Sequence, residues 1–405
     1  MRRSPLLPIF LIVCVDVLGL TIILPLLPFY AEKLGASPAV VGALVSTYAV
    51  CQLVAGPLLG RLSDTTGRKP LLLVSQLGTF VGFVVLANAN VLWVVFLSRA
   101  IDGLTAGNLS LAQAYIADVT EPKDRSRAFG VIGIAFGIGF LLGPALTGFL
   151  VKFGYQWPIY AAAVLSATSI LCTALLLPAT RPHVDPEDPG GPGGKRLSVL
   201  DWSVYAGYFR RPQLAPLLWQ FFCFTFAFSI FTSGFALYAE RRISFHGVLF
   251  DAREVGYTFA YAGFLGIILQ GGLIGRLVKR FGELPLITTG WLCSGIGYVL
   301  LGYTTAVPML VLSSTVSSVG HGVLRPTLTS QITQNVSRSE QGVVLGLNQS
   351  LQSVSQITAP LLGGFLIQHS LLTPWALVAA GVCFAALLLE RRTAAAQALR
   401  KQETV

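Results

Sequence analysis

Hydrophobic residues occur in long runs along this chain, and short clusters of charged, proline or glycine residues separate one run from the next. Many runs approach the roughly 20 residues that an α-helix needs to cross a lipid bilayer. Helices are the element to expect, because lipid offers no partner for free backbone groups and the runs are too long for barrel strands. The pattern predicts twelve spans, at residues 8–30, 38–60, 70–89, 91–117, 127–151, 157–177, 214–238, 254–276, 284–303, 307–333, 342–368 and 372–390.

The amino-acid composition supports a membrane protein. Of the 405 residues, 54% are hydrophobic and only 11% are charged, and the mean hydropathy is +0.70. A soluble domain carries about 25% charged residues, so a water-soluble enzyme, a disordered chain and a repeat array are all excluded. Arg2 and Arg3 precede an apolar run as in a signal peptide, but the run continues through residues 21–30 and contains Asp16. We therefore expect an uncleaved first span.

The positions of the basic residues predict the orientation in the membrane. With both termini in the cytoplasm, most of the 28 lysines and arginines lie on the cytoplasmic side, as the positive-inside rule requires. Lys33, Lys152, Arg241, Arg242 and Arg253 lie outside, and Arg99 and Arg325 lie within spans. This distribution explains the net charge of +10 without a nucleic-acid partner. We expect a multi-pass protein of the cell membrane with both termini cytoplasmic.

Two halves of six spans each are predicted on either side of the longest connector. Gly60–Gly67 (GRLSDTTG) and Gly275–Gly282 (GRLVKRFG) share a frame at an offset of 215 residues, and Gly143-Pro144 and Ala359-Pro360 repeat at an offset of 216. Two matches at nearly one offset indicate a duplicated six-helix unit, which is a transporter architecture. The predicted organisation is an N-terminal bundle at 1–177, a proline- and glycine-rich cytoplasmic linker at 178–212, a C-terminal bundle at 213–391 and a cytoplasmic tail at 392–405.

Signatures of catalysis and of cofactor binding are missing from the sequence. The six cysteines lie inside apolar runs without CxxC pairs or nearby histidines, so we interpret them as small core residues rather than disulfides or metal ligands. HExxH, GxSxG and P-loop motifs do not occur, which argues against a membrane-embedded enzyme and against ATP as the driving force. We expect no cofactor and no metal.

Several motifs, in order along nearly the whole chain, resemble those of the major facilitator superfamily. GRLSDTTGRK at residues 60–69 is similar to that family's loop signature between spans two and three. Arg99 with Gly103 is similar to its fourth-span motif, and GIGFLLGP at 137–144 with Gly148 is similar to the fifth-span motif of proton antiporters. Asp16 with the residues up to Pro28, and IAD at 116–118, resemble drug/proton antiporters, tetracycline exporters included.

The resemblance implies an all-α membrane protein with twelve transmembrane helices in two pseudo-symmetric six-helix bundles, the major facilitator fold. It also implies a gating motif of Gly60, Asp64, Gly67, Arg68, Lys69 and Asp118, in which Asp64 is an inter-helix clamp, and an antiporter motif of Gly139, Gly143, Pro144 and Gly148. Tetracycline exporters carry further acids in spans three and nine, which this chain lacks, so tetracycline is not assumed as the substrate. Lys279 replaces the aspartate of the second loop motif. We therefore expect the carboxylate chemistry in the N-terminal half.

Three charged residues within spans are the candidates for proton coupling. Asp16 lies about 12 Å into span one, where burial disfavours the charged form of a carboxyl group, and residues 8–30 contain no lysine or arginine to pair with it. We interpret Asp16 as a proton carrier, the alternative being an acid that bonds a neighbouring helix. Arg99 and Asp102 share one face of span four. They form either a self-contained ion pair or a site where Arg99 modulates the charge of an acid.

Further polar and aromatic residues within the spans are candidates for a substrate cavity. Phe224 and Phe228 share a face of span seven, and aromatic walls suit hydrophobic or cationic solutes. We interpret His321 as a hydrogen-bonded packing residue rather than a proton relay, and Arg325 either snorkels to the interface or attracts anions. The full set of candidates is Gln52, Asn108, Gln113, Gln220, Phe224, Phe228, Gln270, His321, Arg325, Asn348 and Gln352.

These observations together predict a secondary active transporter that is not an enzyme. We expect proton-coupled export of small amphipathic organic compounds or drugs by alternating access. The expected partners are a small-molecule substrate, protons and the lipid bilayer, and the protein is expected to be a monomer. A proton symporter for a sugar or organic acid is the alternative, and it predicts more paired charges in the cavity. A membrane-embedded solute sensor or enzyme is the remaining hypothesis.

Overall fold

The computed structural model describes residues 6–119, 125–178, 206–337 and 340–403. Within the helices, the side chains of residues 6–7, 57, 61, 64, 117, 119, 125–133, 342 and 392–403 are not described. Residues 179–205 of the predicted linker and the last two residues of the predicted tail therefore lie outside the described residues. The described chain is almost entirely helical, and it divides into two compact units, Met1–Arg196 with Phe250–Phe264 and Leu197–Leu249 with Leu265–Val405.

The first unit is built from helices that follow the apolar runs of the N-terminal half. They are α1 (Leu6–Lys33), α2 (Pro38–Thr66), α3 (Arg68–Ala87), α4 (Leu92–Leu104), α5 (Asn108–Val119), α6 (Arg125–Leu150), a 3₁₀ turn (Val151–Phe153), α7 (Gln156–Leu176) and the first part of α9 (Ala252–Ile268). The start of α2 shows why a helix begins there. The Ser37 hydroxyl accepts a hydrogen bond from the Val40 N–H at 3.4 Å, and Pro38 occupies the first helical position, where no N–H is needed.

The second unit repeats this plan in the C-terminal half. It contains α8 (Ala215–Arg242), strands β1 (Ser244–Phe245) and β2 (Val248–Leu249), the end of α9, a π-helical segment (Leu269–Leu273), α10 (Ile274–Phe281), α11 (Glu283–Gly302), α12 (Val307–Gln334), α13 (Gln341–Gln368) and α14 (Leu372–Glu403). The two strands form an antiparallel hairpin. Its turn residues His246 and Gly247 both have positive φ, at 52° and 80°, as a two-residue hairpin turn requires.

Ten helical stretches of the described residues are long and apolar enough to cross a membrane. They match ten of the twelve predicted spans, and the predicted eleventh span is present as the 28-residue α13. Within the predicted span at 91–117, the structure has two helices, α4 and α5, in place of one continuous helix. At 13 and 12 residues, each of these two helices is too short to cross about 30 Å of hydrocarbon alone.

The same order of helix packing recurs in both units. In the first unit α1 packs on α6 and α7, and α3 packs on α4 and α7. In the second unit α8 packs on α13 and α14, and α11 packs on α12 and α14. These are corresponding helices under the offset that the loop motifs indicate. The packing therefore supports the interpretation that a six-helix unit was duplicated.

Candidate functional site

Asp16 lies in the α1 helix of the first unit, at a junction with α3 and α7. Ser169 on α7 and Gln76 on α3 lie close enough to the Asp16 carboxyl group to act on its charge. Gln76 Nε2 also donates to Ser169 Oγ at 2.7 Å, and Ser169 Oγ lies 3.4 Å from the Ile12 carbonyl oxygen. Among the described residues, Asp16 Oδ1 and Gln76 Oε1 are buried without a hydrogen-bond partner. The junction is therefore a polar site in which two acceptor oxygens remain available.

Arg99 and Asp102 form the ion pair that their spacing on one face of α4 predicts. Arg99 Nη1 lies 3.3 Å from Asp102 Oδ2, and both side chains are about 95% buried, with 5% and 6% exposed. The guanidinium group also lies 5.9 Å from the ring centroid of Phe83, and Thr79 lies close to Asp102. Asp102 is close enough to act electrostatically on Asp16. The first unit therefore buries two carboxyl groups and one guanidinium group in a single region.

The interruption of span four lies immediately after this ion pair. The Ser75 hydroxyl of α3 donates to the Thr105 carbonyl oxygen and accepts the Gly107 N–H at 2.9 Å. Thr105 Oγ1 also donates a hydrogen bond to the Ile101 carbonyl oxygen at 2.9 Å. This bond competes with the backbone N–H groups that would bond the same carbonyl in a regular helix. Because unsatisfied backbone groups are costly in a membrane, Ser75 is what allows the helix to break here. Asn108 begins the next helix, and its Oδ1 is buried without a partner among the described residues.

The predicted gating motif lies where α2 meets α3. Gly67 has a φ of 94°, which L-residues rarely adopt, and it ends α2 and begins α3. Arg68 Nε then donates to Asp118 Oδ2 at 2.9 Å, and Lys69 Nζ donates to the carbonyl oxygens of Ala174 and Leu177 at 2.8 and 2.7 Å. The side chain of Asp64 lies outside the described residues, and Gly60 has open space around it. The motif thus ties the start of α3 to the ends of α5 and α7.

The second copy of the loop motif makes a related contact with opposite chemistry. Gly282, with a φ of 79°, ends α10 and begins α11. The next residue is Glu283, whose carboxylate accepts hydrogen bonds from Ser330 at 2.6 Å, from Gln334 at 3.3 Å and from the Gln331 amide. Lys279, which replaces the aspartate, is exposed.

The antiporter motif is the surface through which α6 packs on its neighbours. A Cβ atom added at Gly139 would lie 2.4 Å from a Val17 methyl carbon, and one at Gly143 would lie 2.0 Å from Thr21 Oγ1. Thr21 Oγ1 donates to the Gly139 carbonyl oxygen at 2.8 Å, so the close approach is also hydrogen-bonded. Gly148 lies against Arg253 and Tyr257 of α9, and the Pro144 carbonyl oxygen lies against Gly256. The predicted packing through small residues is therefore present on two sides of α6.

The interior of the second unit is aromatic. His321 Nε2 lies 2.8 Å from the hydroxyl of Tyr298, and the rings of Phe224, Phe228 and Phe231 lie 6.3, 5.1 and 6.3 Å from the His321 ring, centroid to centroid. Tyr298 also donates to the Ala227 carbonyl oxygen at 3.3 Å. This cluster of residues 224, 228, 231, 298 and 321, the aromatic cluster, supports the interpretation of His321 as a hydrogen-bonded packing residue.

The remaining cavity candidates are buried, half-buried or exposed. Gln220 is buried and accepts a hydrogen bond from Trp291 Nε1 at 3.2 Å, and Asn348 is buried with both amide atoms unpartnered among the described residues. Gln52 donates to the Tyr48 hydroxyl at 3.3 Å, and Gln352 is half-buried. Gln113, Gln270 and Arg325 are exposed in the protein without its membrane.

Sequence reasoning missed four residues that the structure places in polar clusters. Gln76 and Ser169 beside Asp16 were not singled out, because an amide and a hydroxyl in an apolar run carry no motif. Glu283 follows the second loop motif directly, so the repeat itself could have identified it. Glu390 of α14 is buried, with Oε1 accepting a hydrogen bond from Thr288 at 3.0 Å. In the sequence it stands beside Arg391 at the end of a span, where charged residues are expected, so it did not attract attention. No group of three or more His, Cys, Asp and Glu that could hold a metal ion occurs in the part of the chain that the structure describes.

Comparisons with known proteins add an independent line of support. A sequence model of the Major Facilitator Superfamily matches residues 9–282 and, in a second match, residues 250–404. The tetracycline resistance protein, class G, of Vibrio anguillarum is 33% identical over 91% of this chain and 91% of its own length. Multidrug resistance protein 2 of Bacillus subtilis (strain 168) is 25% identical over 88% of this chain and 87% of its own. The crystal structure of the human organic anion transporter MFSD10 (TETRAN) aligns with a TM-score of 0.72 at 24% identity, over 96% of this chain and 99% of that one.

Proposed function

The chain belongs to the Major Facilitator Superfamily, and from that premise we propose that it exports small amphipathic organic compounds or drugs in exchange for protons. The resemblance drawn from the motifs is thereby confirmed. Relatives named for tetracycline and multidrug resistance, matched over most of both chains, support a drug exporter in a multi-pass membrane protein. The aromatic cluster of the second unit suits a hydrophobic or cationic solute.

The observation that carries proton coupling is the environment of Asp16. Its carboxyl group has two polar neutral neighbours, Gln76 and Ser169, and α1 supplies no basic residue near it. A buried carboxyl without a counter-ion is stable when neutral and becomes charged when water reaches it. Asp16 would therefore bind and release a proton as its access to water changes, and a positively charged or polar substrate would compete with that proton. Arg99 and Asp102 form an ion pair in the same region, and Asp102 acts electrostatically on Asp16.

We further propose that the loop motif holds the outward-facing state and that both termini are cytoplasmic. The Arg68–Asp118 pair and the docking of Lys69 on α7 support a clamp at this end of the first unit. Labelling of a cysteine introduced at position 190 tests the orientation. Only reagents that reach the cytoplasm should modify it, and labelling from outside intact cells would overturn the topology.

Transport in membrane vesicles with an imposed pH gradient tests the function. Tetracycline, ethidium and a lipophilic neutral dye are the probes, and vesicles without the protein are the control. We expect at least one probe to accumulate against its gradient in inside-out vesicles that are acidic inside. The accumulation should stop when an ionophore collapses the pH gradient. Accumulation that needs the opposite gradient would favour the symporter, and accumulation that ignores the gradient would reject proton coupling.

A further inference from the structure

Arg325 of α12 is a charged residue in a membrane-spanning helix of the second unit, and the fold gives it no partner. It lies nine residues before the end of the helix at Gln334, or about 14 Å along the helix axis. Its side chain is exposed, and its guanidinium group has no hydrogen bond or ion pair to any described residue. An arginine keeps its charge inside proteins, and a charge within a span is costly unless it faces a partner or a water-filled cavity. Packing alone therefore does not explain this residue.

The helix face that carries Arg325 is directed into the second unit. His321, one turn earlier on α12, contacts the ring of Phe228 on α8. On the other flank, a Cβ atom added at Gly322 would lie 2.6 Å from Leu269 Cδ2 of the π-helical segment. With 3.6 residues per turn, Arg325 lies between these two directions. Both flanks of the face thus pack on other helices of the unit, so the exposed guanidinium group opens into a space inside that unit.

Snorkelling to the membrane surface does not account for Arg325. The nearer end of α12 is its C-terminal end at Gln334, because the N-terminal end at Val307 is 18 residues away. The Cα–Cβ bonds of a helix tilt toward its N-terminus, so this side chain begins in the direction away from the nearer surface. Arginines that snorkel lie near helix ends. The guanidinium group therefore stays inside the bundle.

The acidic residues of the second unit whose side chains are described are all engaged at other places. Glu283 accepts hydrogen bonds from residues 330, 331 and 334, which lie on the side of α12 opposite to Arg325. The other three bond to Arg241, Arg211 and Thr288, and they are Glu240, Glu340 and Glu390 in that order. Within the described side chains of this unit, the charge of Arg325 is thus left for a group that comes from outside the protein.

An aromatic surface lies one helical turn from the guanidinium group. His321 and Phe228 are half-buried, with ring centroids 5.1 Å apart, so each keeps some accessible surface. The helix rise places the His321 and Arg325 backbones about 6 Å apart along the axis of α12. An apolar platform and a positive charge therefore stand at a spacing that fits an aromatic ring with an acidic substituent.

We propose that Arg325 binds a carboxylate group of the transported compound, so that the substrates include aromatic compounds with an anionic group. The inference rests on the proposed export of amphipathic compounds and narrows their class. A guanidinium group binds a carboxylate through two parallel hydrogen bonds, which are stronger than bonds between neutral groups. A compound that carries only positive charge is disfavoured beside Arg325, because like charges repel. The half-buried rings of the aromatic cluster then hold the ring of the same compound.

Equilibrium dialysis of the full-length protein in nanodiscs of uncharged lipid tests the proposal. The probes are a radiolabelled naphthalene carboxylate and its neutral amide, which are nearly equal in size and shape, and empty nanodiscs are the blank. We expect the wild type to bind the carboxylate more tightly than the amide at neutral pH. Arg325→Gln should weaken binding of the carboxylate at least about tenfold and change binding of the amide by less than about twofold. Arg325→Lys, which keeps the charge without the planar guanidinium group, should fall between the two.

Arg280→Gln is the matched control, because it removes the same charge from an exposed position of the same unit. It should leave the affinity for the carboxylate unchanged. Equal affinity of the wild type and Arg325→Gln for the carboxylate, or an equal loss in Arg280→Gln, would overturn the inference. A wild type that binds neither probe, or that does not prefer the carboxylate, would overturn it as well.

A measurement on the wild type keeps the test decisive if Arg325→Gln does not fold. Phenylglyoxal modifies accessible arginines, and peptide mass spectrometry locates the modified residues. The carboxylate probe should protect Arg325 and should not protect Arg280, and unprotected Arg325 would overturn the inference. Failure of the proposed function is a separate result, because it would appear as the absence of accumulation driven by a pH gradient in the vesicle assay.

Discussion

The two units share a helix plan but differ in what they bury. In the first unit the charged side chains of Asp16, Arg99 and Asp102 lie in one region, and those of Arg99 and Asp102 are buried. Under the offset of 215, Ser314 and Ser317 stand where Arg99 and Asp102 stand, and the second unit has the aromatic cluster around His321 in its interior. One duplicated scaffold thus carries two kinds of interior. The difference suggests that proton coupling lies in the first unit and solute recognition in the second.

The loop motifs of the two units show the same contrast at their surfaces. Arg68 follows Gly67 and pairs with the carboxylate of Asp118, whereas Glu283 follows Gly282 and accepts hydrogen bonds from neutral side chains of α12. Gln334, one of these donors, stands at the position of Asp118 under the offset of 216. The contact between corresponding helix ends is kept, while the residue after the glycine changes from a cation to an anion and its partner at the other helix end changes from an anion to a neutral amide. The two units therefore share the position of this contact but not the charges of the residues that form it.

The largest effect that the comparison predicts is the loss of coupled transport in Asp16→Asn. An amide cannot bind and release a proton, so accumulation driven by a pH gradient should fall to the level of empty vesicles. Exchange of labelled for unlabelled probe should continue, because exchange needs no net proton movement. His321→Gln in the second unit is the paired variant and should keep the response to pH. Coupled accumulation in Asp16→Asn would assign the coupling to another residue, with Asp102 next.

The second prediction uses the antiporter motif, where the first unit has Gly143 and the second has Ala359. A Cβ atom at Gly143 would lie 2.0 Å from Thr21 Oγ1, so even Gly143→Ala must displace α1 from α6. We expect a strong loss of folded protein or of transport, measured by size-exclusion profile and vesicle uptake. Gly381→Ala of α14, which has nothing within 4 Å of the added atom, is the control and should behave as wild type. Normal transport in Gly143→Ala would contradict the close-packing argument.

The third prediction tests whether the buried charges of the first unit can be replaced by neutral groups, as they are in the second. Arg99→Gln leaves Asp102 buried without its partner and should lower the free energy of unfolding by about 3–5 kcal/mol. Adding Asp102→Asn should restore most of the thermal stability in detergent, since the position then resembles its serine counterpart. A double variant that is as unstable as Arg99→Gln would show that the pair is not self-contained.

The fourth prediction concerns the aromatic cluster. Tyr298→Phe removes the hydroxyl that lies 2.8 Å from His321 Nε2, a neutral hydrogen bond of about 1 kcal/mol. The half-saturating concentration of a transported probe should change by about fivefold or less, and the pH dependence should not move. Tyr303→Phe, at an exposed position of the same unit, is the control. A shift in the pH dependence of transport in Tyr298→Phe would contradict the assignment of proton coupling to the first unit and of solute recognition to the second.

The smallest effects are expected at the loop motifs. The Arg68–Asp118 pair is partly exposed, at 17% and 32%, and such pairs contribute about 0–1 kcal/mol. Asp118→Asn should slow transport by less than about fivefold, and added salt should narrow the difference from wild type. Glu283→Gln should slow transport less, since its partners are neutral. A larger loss of transport rate in Glu283→Gln than in Asp118→Asn would show that the second copy of the loop motif contributes more to gating than the first.

Particular elements show how far sequence reasoning reached. The predicted span at 70–89 and the observed α3 at Arg68–Ala87 differ by two residues at each end, because the charged loop and the apolar run mark the same boundary. The Arg99–Asp102 pair follows directly from a spacing of three residues on a helix. The interruption at residues 105–107 was not predicted, because the hydroxyl of Ser75 that satisfies the freed backbone groups comes from another helix.

The sequence by itself determined the positions of the apolar runs, the duplication and the motif residues, since each is a local or periodic property of the chain. A bilayer forces such runs into helices whatever their neighbours are. Only the tertiary structure decided which polar groups meet, because hydrophobic periodicity is uninformative in helices that are apolar on every side. Gln76 and Ser169 are 93 residues apart and come together through the packing of α3 on α7. That contact lies beside Asp16 on α1, so the packing of three helices places a carboxyl group, an amide and a hydroxyl in one polar site.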